Sequence, residues 1–455
     1  MNKTSNNKMD MLNGSIWNKL PRFALPVAAT AVLEQLFNAS DIAVVGNFAS
    51  TDKTVAVAAV SANSAVIGLI VNLFVGIALG ANVVIANAIG RDDKNTVQKA
   101  VHTSIAVAVL GGIAVAAFGE AIAAWLLNSL RVPPDVYPYA LLYLRIYLIG
   151  MPVILLYNFE AAIFRSVGET KTPLAALAAS GVLNVLLNLF FVIVLKMNVN
   201  GVAVATVISN AISSAILYFK LIKSDKYIKV ETRKIRIDKE NFINIIKIGL
   251  PAGMQSAVFS VANIIIQSAI NSLGTVVIAA SGAAFNIEIF AYYVMNSFSQ
   301  ACTTFVGQNY GAGKLDRCKK TLALSIGEDA VASGIAVATA LSAGRFLLSI
   351  FNNDPEVIKL GYTRLVYIFF AYIFSMLYEV MSGYLRGFGI SLVPAILTMV
   401  GVCGVRITWI YTVFPQSRDF KTIMLVYPIS LCVTAVLISI SLMIYRPAKK
   451  RMKKA

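Results

Sequence analysis

The sequence is poor in charged residues. Only 13% of its 455 residues are Asp, Glu, Lys or Arg, whereas 58% are hydrophobic and the mean hydropathy is +0.74. Soluble domains carry about 25% charged residues, so this composition excludes a soluble protein of this length. The apolar segments exceed the roughly 20 residues that cross a bilayer, and a helix satisfies its own backbone in lipid. The sequence therefore predicts an all-α polytopic membrane protein.

Histidine and cysteine are also scarce, with one and four residues. The cysteines show no CxxC spacing, which predicts free thiols rather than a metal site or a disulfide framework. They lie in or beside apolar segments, at Cys302, Cys318, Cys403 and Cys432. The sole histidine, His102, falls at the end of an apolar segment, where we expect a solvated side chain.

Signals of catalysis are missing as well. The stretch from Gly307 to Leu315 resembles a phosphate-binding loop, but it has one residue too many between its outer glycines and Leu in place of Ser or Thr. No constellation of nucleophile and base is found. We therefore expect a protein that is not an enzyme, and that draws on an ion gradient rather than on ATP.

The formal net charge of +17 is concentrated in alternating loops. Basic residues precede the first apolar segment, fill residues 220–247 and dominate the C-terminal tail, whereas the intervening loops carry few. The positive-inside rule places these basic segments in the cytoplasm, with both termini inside and an even number of spans. Basic loops beside a membrane account for the charge, so we expect no nucleic-acid partner.

Apolar runs between polar breaks predict about twelve transmembrane helices. They lie near residues 24–48, 55–89, 101–128, 137–164, 173–197, 200–222, 249–273, 276–309, 321–351, 356–385, 390–414 and 422–445. We expect an N-terminal lobe of six helices over residues 1–222, a cytoplasmic linker over 223–248, and a C-terminal lobe of six helices with a basic tail over 249–455.

The two halves share spaced residues, which indicates an internal duplication. Pro26 and Asn38 recur with the same spacing as Pro251 and Asn263. A second set recurs at a similar distance along the chain, with Arg165, Gly168 and Pro173 matching Arg386, Gly389 and Pro394. Six-helix repeats joined inside the cell have the same orientation, which favours two pseudo-symmetric lobes around a central cavity and transport by alternating access.

The first predicted span carries two acids, which is costly in lipid and marks a candidate site. Glu34, Asn38 and Asp41 are spaced at i, i+4 and i+7, so they share one helix face. Pro26 removes a backbone hydrogen bond near the inner end and permits a bend. We expect a cation or proton site here, and the alternative is that a buried partner merely neutralises the acids.

Oxygen donors on neighbouring helices could complete that site. Asn184 and Asn188 are one turn apart on the fifth span, and Thr206 lies on the sixth. One carboxylate, Asp41, with amide and hydroxyl oxygens suits a monovalent cation such as Na⁺ better than a tight divalent site. Alone, the asparagines would more often be interhelical contacts.

The second half carries a different set of polar residues. Asp41 corresponds there to Ile266, so the halves are functionally unequal. Acids beside aromatic and methionine side chains suit an apolar cation, which predicts a substrate cavity, although ordinary packing is the alternative. The candidate cavity residues are Gln255, Asn263, Glu288, Tyr292, Met295, Tyr378 and Glu379.

Several stretches together resemble the bacterial MATE (multidrug and toxic compound extrusion) transporters over nearly the whole length. They are FALPVAATAVLEQLFNASDIAVVGNF, YLRIYLIGMP, IFRSVGETKTP, GVLNVLLN, GVAVATVIS, FVGQNYGAGK and GVCGVRITWIYTVFP. The resemblance implies twelve helices in two lobes and cation-coupled antiport of amphipathic, often cationic, organic compounds.

The resemblance also implies a cation site in the first lobe. The acid on the first helix maps to Asp41, and its partners map to Asn184, Asn188 and Thr206. It implies a bend at Pro26 in proton-driven members. The second-lobe acids of some members fall here on Phe259 and Ser375, so coupling should rest on the first lobe, with either Na⁺ or H⁺.

The resulting expectation is a multidrug efflux antiporter of the bacterial plasma membrane. It would need no cofactor beyond the coupling ion Na⁺ or H⁺, bind small amphipathic organic substrates, and act as a monomer in the bilayer. The alternative is a flippase for lipids or lipid-linked precursors, which would carry more basic residues in its cavity, where Arg145, Arg364 and Arg406 are candidates.

Overall fold

The computed structural model describes residues 9–50, 52–224 and 227–450, and these residues form helices and loops without a strand. The helices are α1 (Leu20–Phe48), α2 (Lys53–Gly90), α3 (Lys94–Ser129), α4 (Tyr137–Ile149), α5 (Met151–Ser166), α6 (Lys171–Leu189), α7 (Val199–Ile222), α8 (Lys239–Asn271), α9 (Thr275–Gly311), α10 (Leu315–Ser342), α11 (Gly344–Phe351), α12 (Pro355–Gly387), α13 (Leu392–Thr398), α14 (Val405–Thr412), α15 (Phe420–Tyr445) and α16 (Pro447–Lys450). Two π-helical stretches, Phe190–Val194 and Met399–Gly404, extend α6 and join α13 to α14.

Membrane-spanning helices account for most of the described chain. Ten are long and apolar enough to cross a bilayer, and an eleventh span results if α4 and α5, bent by 50°, are counted as one. The helix α1 has 29 residues, but its polar side chains keep it out of that count. The all-α polytopic class is thus confirmed, with a number of spans close to the twelve expected.

Equivalent helix ends support the duplication. The helices α3 and α10 begin at Lys94 and Leu315, and α6 and α13 begin at Lys171 and Leu392. The two starts in each pair are separated by the same length of chain. Gly168 and Gly389, which have this same separation, both adopt a left-handed conformation, with φ of 82° and 80°. Each ends its helix with the same pair of backbone hydrogen bonds, the Schellman pattern that favours glycine. The repeated Gly residues of the sequence therefore mark repeated helix termini.

The chain divides into two compact units. Unit 1 contains Ala29–Leu250, and unit 2 contains Asp10–Ala28 together with the chain from Pro251 onward. The divisions fall within α1 and α8, close to Pro26 and at Pro251. Each of these two helices therefore contributes one end to each unit.

Unit 2 includes the segment before α1. The Nδ2 group of Asn309 and the guanidinium of Arg317 both donate hydrogen bonds to the carbonyl of Met11, each at 3.1 Å. The buried ring of Phe23 meets that of Phe305 edge to face, with centroids 6.0 Å apart. These contacts attach the N-terminal residues to α9 and α10.

In unit 1 the polar stretch after α7 is packed against α3. Ile228 and Val230 are buried in the apolar core, and the Glu231 backbone N–H donates to Nε2 of His102 at 3.0 Å. Since Nε2 accepts, Nδ1 carries the hydrogen and donates to the Gln98 carbonyl at 2.7 Å. The expectation of a solvated His102 was wrong, because the side chain is 4% exposed and attaches this stretch to the helices.

Glycines allow α2 and α8 to approach closely within unit 1. A Cβ atom at Gly80 would collide with the Ile245 carbonyl oxygen and would lie 2.7 Å from the Gly249 nitrogen. A Cβ at Gly249 would lie 2.5 Å from Cα of Ile77. Small residues at such crossings are typical of membrane helices, which associate through packing rather than through a hydrophobic driving force.

We predict that Gly80→Ala destabilises the protein by about 1–3 kcal/mol, because the added methyl group must push apart two backbones. Gly68→Ala on the same helix is the matched control, since nothing lies within 4 Å of its Cβ position. Thermal unfolding of the purified protein in detergent measures both. A Gly80→Ala variant that unfolds at the temperature of the control would contradict the close crossing.

Candidate functional site

A cluster of four polar side chains is buried within unit 1. Asp41 comes from α1, Asn184 and Asn188 from α6, and Thr206 from α7, and their exposures are 4%, 4%, 0% and 9%. Nδ2 of Asn188 donates to Oδ1 of Asp41 at 2.6 Å, and the Thr206 hydroxyl donates to Oδ2 at 3.0 Å. The structure thus brings together the four residues that the sequence pattern singled out.

Helical spacing and one glycine explain this meeting. The asparagines are one turn apart, so Nδ2 of Asn188 also reaches Oδ1 of Asn184, at 3.2 Å. The Phe37 ring occupies the place where a Cβ of Gly181 would be, so α1 packs directly against α6. Asp41 lies one turn beyond Phe37, at the level of the asparagines.

The hydrogen-bonding capacity of the cluster is incompletely used. Oδ1 of Asn188 is buried and has no hydrogen-bond partner. The Thr206 hydroxyl lies 3.0 Å from both the Asp41 carboxylate and the Val202 carbonyl, but its single hydrogen serves one of them at a time. An orphaned buried oxygen beside a carboxylate is the kind of feature that a small cation resolves. The donor set of carboxylate, amide and hydroxyl oxygens fits a monovalent cation.

The other candidates on α1 lie outside this cluster. Glu34 and Asn38 share the face of Asp41, yet both side chains are exposed. The Glu34 carboxylate interacts electrostatically with Arg165. Pro26 lies inside α1, which continues as one helix through it.

In unit 2, three of the predicted cavity residues each contact an arginine. Glu288 forms a buried bidentate ion pair with Arg364, at 2.7 and 3.1 Å. The other two contacts are with amide oxygens: Oε1 of Gln255 accepts from Arg386 at 2.8 Å, and Oδ1 of Asn263 accepts from Arg406 at 3.2 Å. Sequence spacing gave no indication of these pairs, since the partners are 76 to 143 residues apart.

The remaining predicted cavity residues differ in burial. Met295 and Tyr378 are 0% and 1% exposed, so both are packed inside unit 2 in this conformation. Tyr292 is half-buried, and its ring lies 6.3 Å from that of Tyr293. Glu379 is buried, and its charge interacts with the guanidinium of Arg386.

A family model described as MatE matches residues 26–190 and 251–412. The chain belongs to the MatE family. The first matched segment runs from Pro26 in α1 to the end of α6. The second runs from Pro251 in α8 to the end of α14.

Similar proteins agree with this assignment over most of the chain. The probable multidrug resistance protein YoeA of Bacillus subtilis is 24% identical over 432 residues, covering 93% of each chain. The probable multidrug resistance protein NorM of Thermotoga maritima is 25% identical, covering 86% of this chain and 84% of the relative. A crystal structure of MATE in the bent conformation superposes with a TM-score of 0.89 at 20% identity, covering 98% of each chain. The chain therefore has the fold of MATE transporters.

Among the described residues of this MatE protein, three further acids are buried that the sequence pattern did not single out. Glu328 and Asp329 lie in the middle of α10, and Glu160 lies in α5. Both carboxylate oxygens of Glu328 and one of Asp329 have no partner, and Ser333 donates to the other Asp329 oxygen at 2.7 Å. Ser214 donates to Glu160 at 2.9 Å. The sequence carries the same signal for these three residues as for Asp41, because each is an acid inside an apolar segment.

We predict that Glu288→Gln destabilises the protein by about 3–5 kcal/mol, because it leaves the guanidinium of Arg364 buried without its counter-charge. The double variant Glu288→Gln/Arg364→Gln should lose less stability than the sum of the two single variants. Thermal unfolding of all three variants measures the coupling. Additive losses would show that the ion pair contributes nothing.

Proposed function

We propose that this MatE protein is a cation-coupled antiporter that exports amphipathic, cationic organic compounds by alternating access. The observation that carries the proposal is the buried Asp41 carboxylate, whose described hydrogen-bond partners, Asn188 and Thr206, are both uncharged. Multidrug resistance is what the names of the relatives YoeA and NorM state, and export, the coupling ion and the cargo class are our inference.

Asp41 binds the coupling ion in this scheme. A carboxylate at the centre of a membrane helix costs about 2.5–3.5 kcal/mol on insertion scales, and neutral hydrogen bonds offset only part of the charge. A proton or a Na⁺ ion removes the net charge, whereas a divalent ion would leave an excess positive charge among neutral oxygens. The binding of one monovalent cation is therefore the favoured change of state at this site.

The partners of Asp41 can serve both states. When Asp41 is charged and no cation is bound, Asn188 donates its N–H and Thr206 its hydroxyl hydrogen. When Na⁺ is bound, a flip of the Asn188 amide brings its unpartnered oxygen to the ion, and Thr206 can turn its hydrogen to the Val202 carbonyl. The three helices α1, α6 and α7 therefore sense the state of one carboxylate.

Coupling requires that the cation favours one conformation and the cargo the other. Entry of the cation from outside at Asp41 would rearrange α1, and this change would expel cargo held near the exposed part of the same helix. Glu34 and Asn38 lie on that exposed part, where they are available to a ligand. We assign to Glu34 the role of counter-charge for a cationic cargo, rather than that of a second proton carrier.

The remaining proposals follow from the charge distribution. We place both termini in the cytoplasm, because the basic loops alternate along the chain. We also propose that the protein lies in the bacterial plasma membrane and acts as a monomer. The lobes are residues 1–222 and 249–455 with a cytoplasmic linker between them. No cofactor takes part, since the gradient of Na⁺ or H⁺ supplies the free energy.

Asp41→Asn should abolish gradient-driven export, because asparagine keeps the size of the side chain but can neither bind a proton nor attract Na⁺. The measurement uses purified protein in liposomes, with Na⁺ and pH gradients imposed separately and a fluorescent organic cation as cargo. The gradient that drives export in the unaltered protein identifies the coupling ion.

Asp52→Asn is the matched control, since Asp52 caps the start of α2 through Thr54 and Val55 and asparagine caps equally well. Normal export by Asp41→Asn would contradict the proposal. Export by the unaltered protein under neither gradient would favour the lipid flippase instead.

Glu34→Gln should weaken cargo binding while coupling persists. We expect the half-saturating concentration of the organic cation to rise about tenfold, since one charge-assisted contact is lost. Coupling to the gradient found for the unaltered protein should remain. If Glu34→Gln instead abolishes coupling and leaves the half-saturating concentration unchanged, Glu34 carries the ion.

A further inference from the structure

Three arginines are buried in unit 2, and they differ in how their charge is compensated. Arg364 is paired with Glu288, and Arg386 interacts with the charge of Glu379. Arg406 is 2% exposed, and its described polar contacts are to neutral groups only. Buried charges are normally paired, because removing an ion from water costs several kcal/mol.

The groups that Arg406 contacts are aromatic or polar, and none of these carries a charge. Its Nε donates to the Ser430 hydroxyl and its Nη1 to Oδ1 of Asn263, both at 3.2 Å. The guanidinium carbon lies 4.5 Å from the ring centroid of Tyr427 and 5.1 Å from that of Phe259. Cation-π contacts of this kind stabilise the cation without neutralising it.

The adjacent arginine does not offset this charge, and it has its own counter-charge. Arg364 lies 5.6 Å from the centroid of the same Tyr427 ring, so two guanidinium groups flank one ring. Only one carboxylate, that of Glu288, takes part in this group of described residues. One positive charge is therefore left over within this group of three side chains.

A polar stripe on α8 connects this charge to water. Ser256, Ser260, Asn263 and Gln267 follow one another at intervals of four, three and four residues, so they share one face. Ser256, Asn263 and Gln267 are exposed. Polar side chains exposed on a membrane-spanning helix face water or a ligand pathway rather than lipid. Arg406 reaches this stripe through its hydrogen bond to Asn263.

We propose that Arg406, together with Asn263, Phe259 and Tyr427, forms a subsite for the acidic group of an amphipathic aromatic cargo. The planar guanidinium can bind a carboxylate, sulfonate or phosphate in a bidentate manner, and the two rings stack on an aromatic body. The inference rests on the proposed transport function, and it extends the cargo from organic cations to molecules that carry an acidic group.

Riboflavin and its 5′-phosphate, FMN, test the subsite because they have the same ring system and differ in the phosphate. Equilibrium binding to the full-length protein in detergent is followed by flavin fluorescence anisotropy, without any ion gradient. We expect FMN to bind about tenfold more tightly than riboflavin, as one desolvated charge-assisted contact allows.

Two variants remove the positive charge in different ways. Arg406→Gln deletes it, and Asn263→Asp places a carboxylate beside an unchanged Arg406, at the contact that is now 3.2 Å long. Both should reduce the preference for FMN to less than about twofold while riboflavin affinity is retained, since only the charge-assisted contact is lost. Arg145→Gln is the matched control, because Arg145 is 48% exposed, lies in α4 of unit 1 and pairs with Glu120.

The outcomes separate the alternatives. Loss of the FMN preference in both variants but not in Arg145→Gln supports the subsite. Equal binding of FMN and riboflavin by the unaltered protein, or an unchanged preference in Asn263→Asp, overturns it. If Arg406→Gln fails to fold, Asn263→Asp alone decides, because it keeps the arginine. Failure of ion coupling in liposomes would leave this binding result intact, so the two proposals are tested separately.

Discussion

The free-energy cost of holding a charge away from water is the constraint on which this structure depends. In helices that cross a membrane a buried charge is costly, and three of the described sites reduce that cost in different ways. Glu288 and Arg364 neutralise each other, Asp41 accepts hydrogen bonds from neutral groups, and Arg406 lies against aromatic rings. The first arrangement is complete in itself. The other two retain an excess charge, and for that reason they are where ligands are expected.

The sequence predicted the cluster around Asp41 well, because its residues obey a local rule. Asn184 and Asn188 are one helical turn apart, and an acid inside an apolar segment marks a site on its own. Pairing over long sequence separations follows no such rule, so the partner of Glu288 was not foreseen. Glu288 is buried beside an arginine, and its place in a substrate cavity stays a prediction. Glu328 and Asp329 carried the same local signal as Asp41 and were overlooked.

The two halves of the chain repeat their backbone but not their chemistry. Gly168 and Gly389 end equivalent helices in the same way, since the turn requires a left-handed residue. The counterpart of Asp41 is Ile266, which is 1% exposed and packs in an apolar cluster. Helix geometry therefore constrains the repeat, while the positions that face the interior are free to differ in charge. The excess charge is negative at Asp41 in unit 1 and positive at Arg406 in unit 2.

The attachment of the N-terminal segment to α9 and α10 has a consequence for biosynthesis. Met11 leaves the ribosome early, whereas its partner Asn309 follows 298 residues later. Multidomain chains generally fold domain by domain as they are made. Here the beginning of α1 cannot make these contacts until α9 and the start of α10 have been synthesised. Assembly thus includes the closure of a very long loop, and a chain that stops before α9 lacks the helices against which the start of α1 packs.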